Sequence, residues 1–333
     1  MKLHHVIEAQ QFDPATLAEL FQVTEEMEGV VADGGVLDYQ KRVMATLFYE
    51  PSTRTRFSFE TAMHRLGGRV ISTENAAEFS SVAKGETLED TIRIMNAYSD
   101  VIVLRHQEVG AAKRAAAVSR IPVINAGDGV GQHPTQALLD LYTIRKEIGA
   151  IEGLRIAMVG DLAQGRTVRS LAYLLSKYRD VKIHFVAPPL LKMKQDILDH
   201  LREHHVWFTE ETELEKVLPE VDVVYQTRIQ KERFGDRSAD YELCRGVYVI
   251  NQASLRLMKP NAIVMHPLPR LDRKPEARSQ KPEARSPLCR LAVCARVVKE
   301  IFVSAPERTL NRACTPPSPI LGESVRRLPA SDS

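Results

Sequence analysis

Leu47-Phe48-Tyr49-Glu50-Pro51-Ser52-Thr53-Arg54-Thr55-Arg56 is the stretch on which the reading of this chain turns. The apolar run from Val43 to Tyr49 predicts a buried strand, and Phe57, Met63 and Leu66 predict an amphipathic helix after Pro51. The residues between them form a strand-to-helix junction. Ser52 stands where an N-cap would, and Thr53, Arg54 and Thr55 follow beside backbone N–H groups with no intrahelical partner. Hydroxyls, free amides, the helix dipole and a guanidinium within one turn make a site for phosphate. The duller reading is a capped helix with solvated arginines, so the rest of the chain has to decide.

Outward from this junction, strands and helices alternate. Gly67-Gly68 fits the helix stop, Arg69–Ser72 a short strand, and 74–85 a long polar loop. Thr87, with Asp90 three residues on, opens a helix; Val101–Leu104 reads as a strand, Ala111–Val118 as a helix, and Ile121–Asn125 as a strand. Pro134 begins a long helix to about Ile148, with Leu138, Leu141, Tyr142 and Ile148 on one side and Asp140 and Lys146 on another. The alternation then restarts with strand Leu154–Val159, helix Thr167–Tyr178 and strand Lys182–Val186. Helices around Met193–Leu201 and Glu213–Leu218 and strands Val221–Tyr225, Val247–Ile250 and Ala262–Met265 complete it. The predicted fold is α/β: two tandem doubly wound parallel-sheet domains joined by a long helix. The expected boundaries are 1–132, a linking helix 133–148, a second domain 149–270, and a tail 271–333.

In such sheets ligands sit beyond the carboxyl ends of the strands. Those ends and the first helical turns carry Ser52 to Thr55, Arg105, His133 with Gln136, Arg166 with Thr167, Arg228 with Gln230, and His266 to Pro269. Gly160 and Gly165 do not complete a dinucleotide fingerprint, and Arg166-Thr167 stands where a phosphate loop has Lys-Ser/Thr, so nucleotide binding is poorly supported. Four arginines at strand ends suit small substrates bearing several negative charges.

Composition narrows the classes. Of the 333 residues, 44% are hydrophobic and 26% charged, as in globular proteins. Residues 1–270 hold 33 Lys/Arg against 36 Asp/Glu and the tail 12 against 7, so the body presents no nucleic-acid surface. No apolar run reaches a membrane span, and Met1–Glu8 has no signal-like apolar core; the expected place is the cytoplasm. Cys289, Cys294 and Cys314 lie in the tail and Cys244 alone in the body, with no zinc-type spacing.

The segment Phe48–Glu60 resembles the carbamoyl-phosphate signature of the aspartate and ornithine carbamoyltransferases. Lys84-Gly85-Glu86-Thr87-Leu88, His133-Pro134-Thr135-Gln136, Arg228-Ile229-Gln230 and His266-Pro267-Leu268-Pro269-Arg270 resemble the aspartate branch, because Thr135 and Pro267 stand where the ornithine branch usually has cysteine. The resemblance covers about residues 1–270. It implies carbamoyl transfer from carbamoyl phosphate to L-aspartate without cofactor or metal. It implies that Ser52, Thr53, Arg54 and Thr55 hold phosphate, while Thr55, Arg105 and His133 donate to the carbamoyl oxygen and Gln136 holds the NH2. Arg166, Thr167, Arg228 and Gln230 would bind aspartate, and Pro267 and Leu268 would supply carbonyls. Ser80 and Lys84 would reach a neighbouring subunit's site in a homotrimer, with Ser81 the alternative to Ser80. The resemblance leaves open a regulatory chain or a larger assembly.

After Arg270 the likeness fails. A near-repeat, Lys274–Ser279 and Lys281–Ser286, leads into a tail with 8 of the 18 prolines, expected to be unpacked apart from one helical island, Leu288–Phe302. Two rivals follow: transfer to another amino acid, and a non-catalytic ligand-binding homologue.

Overall fold

The computed structural model describes residues 4–76, 85–229 and 246–267, together with Phe234, Tyr241, Glu242 and Cys244. The first unit opens with helix α1 (Pro14–Ala32), whose N-cap Asp13 accepts from the Thr16 N–H at 2.7 Å. Strands β1 (Val43–Phe48), β2 (Arg69–Glu74), β3 (Val101–His106) and β4 (Val123–Asp128) follow, with helices α2 (Thr53–Arg65), α3 (Leu88–Tyr98) and α4 (Ala111–Val118) between them. Thr87 caps α3 by accepting from the Asp90 N–H, as its spacing predicts. The four strands lie parallel in the order β2-β1-β3-β4. Strands β3 and β4 are buried along their whole length, because helices cover both faces of a parallel sheet.

Helix α5 (Pro134–Ile148) leads to the second unit: β5 (Arg155–Val159), α6 (Arg166–Leu175), β6 (Lys182–Val186), α7 (Gln195–Glu203), β7 (Trp207–Glu211), α8 (Leu214–Val217), β8 (Val223–Gln226), α9 (Gln252–Leu257) and β9 (Ile263–Met265). These strands are also parallel, in the order β7-β6-β5-β8-β9. The strand order reverses direction at β1/β3 in one sheet and at β5/β8 in the other. Residues beyond the carboxyl ends of strands from both sheets line one cleft, as expected for such sheets.

Helix α5 has no solvated face over most of its length. Leu138, Leu141 and Ile144 are fully buried, in one continuous cluster with Leu17 and Phe21 of α1 and Leu171 and Leu174 of α6. At ~1.5 to 3 kcal/mol for each large apolar side chain, this burial holds the two sheets to a shared core. Asp140, expected on a polar side, is also fully buried.

Three local readings change. Trp207–Glu211 is a strand, missed because an edge strand need bury only part of each residue, and its sequence ends in two glutamates. Val247–Ile250, rich in β-formers, joins no sheet: β9 occupies the place beside β8, and the Tyr248 carbonyl instead accepts from Gln226 Nε2 at 2.6 Å. Gln252–Leu257 is a short helix, capped by Asn251 accepting from the N–H groups of Ala253 and Ser254 at 2.8 and 3.1 Å. The tail, including Leu288–Phe302, lies outside the described residues.

Candidate active site

The first wall of the site is the junction after β1. The Ser52 carbonyl accepts from the Arg56 N–H at 3.0 Å, closing the first turn of α2, while the Ser52 hydroxyl makes no capping bond. The N–H groups of the first helical turn therefore have no intrahelical acceptor and gather at the cleft. Thr55 is buried there, and Arg54 is exposed. From the end of β3 comes Arg105, 7% exposed, which donates through Nη1 to the Ala126 carbonyl at 3.2 Å. Its Nη2 stands 3.2 Å from Glu50 Oε2.

His133 caps α5 by position, and its side chain is buried. Its N–H donates to Ser170 Oγ of α6 at 3.0 Å, and that hydroxyl donates on to Gln132 Oε1 at 3.0 Å. The start of α5 is thus fastened to the second unit. Thr135 Oγ1 stands 3.4 Å from His133 Nδ1, with the donor set by the ring tautomer. Gln136, 5% exposed, donates through Nε2 to Asp140 Oδ1 at 2.9 Å.

The second wall comes from the carboxyl ends of β5, β8 and β9. Arg166, at the start of α6, donates through Nη1 to the Gly129 carbonyl at 2.7 Å and to Glu50 Oε2 at 3.3 Å. One carboxylate therefore meets a guanidinium from each unit. The loop from Gly160 to Gly165 is held by Asp161 Oδ1 accepting from the Gln164 N–H at 3.0 Å. Gly160 has φ +111, and a Cβ there would fall 2.6 Å from the Thr227 carbonyl, so glycine lets the loops after β5 and β8 touch. Gly127 plays the same part between the arginines: a Cβ would meet Arg105 Nη1 and Arg166 Cζ at 3.1 Å.

Together these residues enclose a cleft of about 400 Å³, within the usual range for a small-molecule site. Of the residues singled out from sequence, Ser52, Thr53, Arg54, Thr55, Arg105, His133, Gln136, Arg166, Thr167, Arg228 and Pro267 all line it. Ser80, Lys84, Gln230 and Leu268 lie outside the described residues. Glu50, Asp161 and Thr227 also line the cleft without standing among the residues singled out from sequence, although Thr227 directly precedes Arg228. Four guanidiniums against two carboxylates leave the described lining positive, which favours a ligand with several negative charges.

Beside the cleft, burial lowers the His106 pKa below the usual histidine value, and its ring lies 4.7 Å from that of Tyr49, whose own pKa burial raises. Among the described residues, one triplet has metal-ligand chemistry, His200, Glu203 and His204 at the end of α7, with ligand atoms within 4.8 Å of one another. None of the three lines the cleft. No helix of the described residues is long and apolar enough to cross a membrane.

Two family models match this chain: the carbamoyl-P binding domain of aspartate/ornithine carbamoyltransferase over residues 4–146, and its Asp/Orn binding domain over 152–285. The chain belongs to that family. The second match runs past Arg270, where the motif resemblance ends. Aspartate carbamoyltransferase 1, chloroplastic, of Pisum sativum is 61% identical over 272 residues, covering 81% of this chain and 70% of the relative. The aspartate carbamoyltransferase catalytic subunit of Thermoplasma acidophilum is 50% identical over 287 residues, 86% of this chain and 92% of the relative. Among solved structures, aspartate transcarbamoylase from Trypanosoma cruzi in complex with carbamoyl phosphate aligns with TM-score 0.83 at 40% identity, covering 91% of this chain and 96% of that one. The catalytic subunit of the M. Jannaschii enzyme aligns with TM-score 0.82 at 43% identity, over 90% and 98%.

Proposed function

We propose that this chain transfers the carbamoyl group of carbamoyl phosphate to L-aspartate, giving N-carbamoyl-L-aspartate and phosphate. The carrying observation is the convergence, on one cleft, of the α2 N-terminus with arginines from both units. The first wall suits a phosphoryl group: free amides, the hydroxyls of Ser52, Thr53 and Thr55, and Arg54. Thr55, Arg105 and His133 line the cleft, and in this reading they donate to the carbamoyl oxygen as it gains charge, where one donor contributes about 3 to 4 kcal/mol. Gln136 and the Pro267 carbonyl address the nitrogen side. Arg166 and Arg228 on the facing wall suit the two carboxylates of aspartate. The aspartate amine forms the new C–N bond, the C–O bond to phosphate breaks, and the departing phosphate takes the amine proton. Positioning and electrostatics supply the rate. In this reading residues 1–132 bind carbamoyl phosphate and 149–270 bind aspartate.

Turnover measured with aspartate and with ornithine side by side tests the assignment: carbamoyl-aspartate is expected, and product from ornithine alone would overturn it. The tail's composition keeps one alternative alive, a homologue that binds without turning over. Titration with a molecule joining phosphonate to aspartate, run beside the assay, separates the two.

The finer setting is also a proposal. A homotrimer sharing sites through Ser80 and Lys84 accords with the family resemblance and with the exposure of Phe57, Ile71, Ile94 and Tyr98 on the first unit. Mixing Arg54→Ala and Lys84→Ala chains should restore activity in mixed oligomers; no recovery would count against it. A regulatory chain would appear as an added subunit in a native assembly of defined mass. The cytoplasm is the proposed compartment. The plant relatives are named chloroplastic, so cell fractionation decides between the two.

A further inference from the structure

Asp140 stands in the middle of α5 with none of its surface exposed. One turn earlier on the helix, Gln136 donates through Nε2 to its Oδ1 at 2.9 Å; from the second sheet, Tyr225 OH donates to its Oδ2 at 2.6 Å. The carboxylate thus accepts at both oxygens, from α5 and from β8. Gln136 lines the cleft, and Tyr225 lies on β8, just before Thr227 and Arg228, which line it too.

Stability alone is a weak reason for such a group. A buried carboxylate is expensive to desolvate, and an apolar side chain of like volume often serves a core as well. What an apolar residue lacks is the power to orient an amide. The two ends of a glutamine amide are nearly equal in shape and opposite in hydrogen-bonding sense. An acceptor held against one end makes that end the NH2 and leaves the carbonyl as the other.

We infer that Asp140 is a positioning residue: it holds Gln136 with the amide carbonyl presented to an N–H donor in the cleft, and through Tyr225 it ties that orientation to β8. This deepens the reading of the cleft as a carbamoyl-transfer site, where the N–H donor is the carbamoyl NH2. Strand β8, which leads into Arg228 on the aspartate side, then also steadies the group that reads the carbamoyl nitrogen.

The nearly isosteric Asp140→Asn variant tests this, because it replaces one acceptor by a donor. The KM for carbamoyl phosphate should rise by roughly 5- to 150-fold, the range for a buried donor–acceptor mismatch, while the KM for aspartate changes little. In a Gln136→Ala background the same substitution should change neither constant further. Tyr225→Phe, which keeps the ring and leaves the cleft untouched, should raise the same KM several-fold, and it carries the test if Asp140→Asn does not fold. A variant with a lowered melting temperature and unchanged constants would mean a merely structural role and overturn the inference. A deficit as large in the Gln136→Ala background as alone would overturn it too. If the unmodified protein makes no carbamoyl-aspartate, the functional reading fails instead, and the two failures are told apart.

Discussion

The wall of the cleft contributed by the first sheet meets negative charge with fixed backbone donors beside Arg54 and Arg105, whereas the wall contributed by the second meets it chiefly with the long side chains of Arg166 and Arg228. On the first, the N–H groups of Thr53, Arg54 and Thr55 are set by the start of α2, and the hydroxyls beside them sit on short stems. On the second, Arg166 and Arg228 reach out from a helix start and a strand end. Backbone donors lose little freedom on binding, and guanidiniums lose several rotamers. The difference accords with the proposed division of labour, in which the preformed wall would anchor the invariant phosphate and stabilise the developing charge, and the adjustable wall would recognise the acceptor.

The substitution that breaks the first wall should have the larger effect. Arg54→Ala removes an exposed side chain, so folding should be unchanged while kcat falls by roughly 10²- to 10³-fold, the usual loss for one transition-state donor. Thermal melting beside steady-state kinetics checks both parts. A loss confined to KM for aspartate would mean that the walls had been assigned the wrong way round.

Arg228→Ala should break the second wall more gently. Loss of a charge-assisted pair to a carboxylate predicts a rise of roughly 10- to 150-fold in the KM for aspartate, with that for carbamoyl phosphate nearly unchanged. Initial rates with each substrate varied in turn separate the two constants.

Glu50 sharpens the comparison because it belongs to both walls, lying 3.2 Å from Arg105 and 3.3 Å from Arg166. Its side chain is 38% exposed, so the pairs are partly screened. Glu50→Gln should therefore change kcat/KM only by roughly 2- to 5-fold. A loss as large as that of Arg54→Ala would show that joining the walls matters as much as either wall.

Sequence made the first wall easier to read than the second. The chain passes from strand to cap to arginine within Phe48–Arg56, so one short stretch carries the site, and the alternation around it carries the fold. The second wall draws on the ends of β5, β8 and β9, whose residues are brought together only by folding. Arg166 and Arg228 were legible only in company with Arg54 and Arg105, because four arginines at strand ends and helix starts point to an anionic ligand where one alone does not. Asp161 and Thr227 were not, since their roles lie in loop contacts that spacing does not reveal. Asp140 was misread for another reason: helical periodicity gives a polar residue to solvent by default, and its partner Tyr225 lies 85 positions away. Trp207–Glu211 and Val247–Ile250 show the matching limit for strands, because whether an edge is open depends on which strand has already taken it.

The smallest effect on the site should come from the opposite end of the first sheet. His5 is half-buried, and its Nδ1 accepts from the Val123 N–H at 3.1 Å, so protonation must break that bond. Burial, with His4 adding a smaller push, lowers its pKa from 6.5 to about 4. The unfolded chain therefore binds more protons than the folded one between those values, and stability falls as pH drops from 6.5 to 4. After solvent screening of a partly exposed ring the loss is about 1 to 2 kcal/mol. Denaturant melts of His5→Gln across this range should show a flatter slope than the unmodified protein, with kcat unaltered at neutral pH. An unchanged slope would remove His5 as the cause.

The central claim is that both walls act on one ligand pair at once. Isothermal titration of N-(phosphonacetyl)-L-aspartate, which carries a phosphonate for the first wall and two carboxylates for the second, tests it most directly. The account predicts one site per chain, binding at least 100-fold tighter than inorganic phosphate or succinate alone, since linking two occupied subsites multiplies their affinities. It further predicts that Arg54→Ala and Arg228→Ala each weaken binding. Affinity no better than that of phosphate, or indifference to Arg228→Ala, would contradict it.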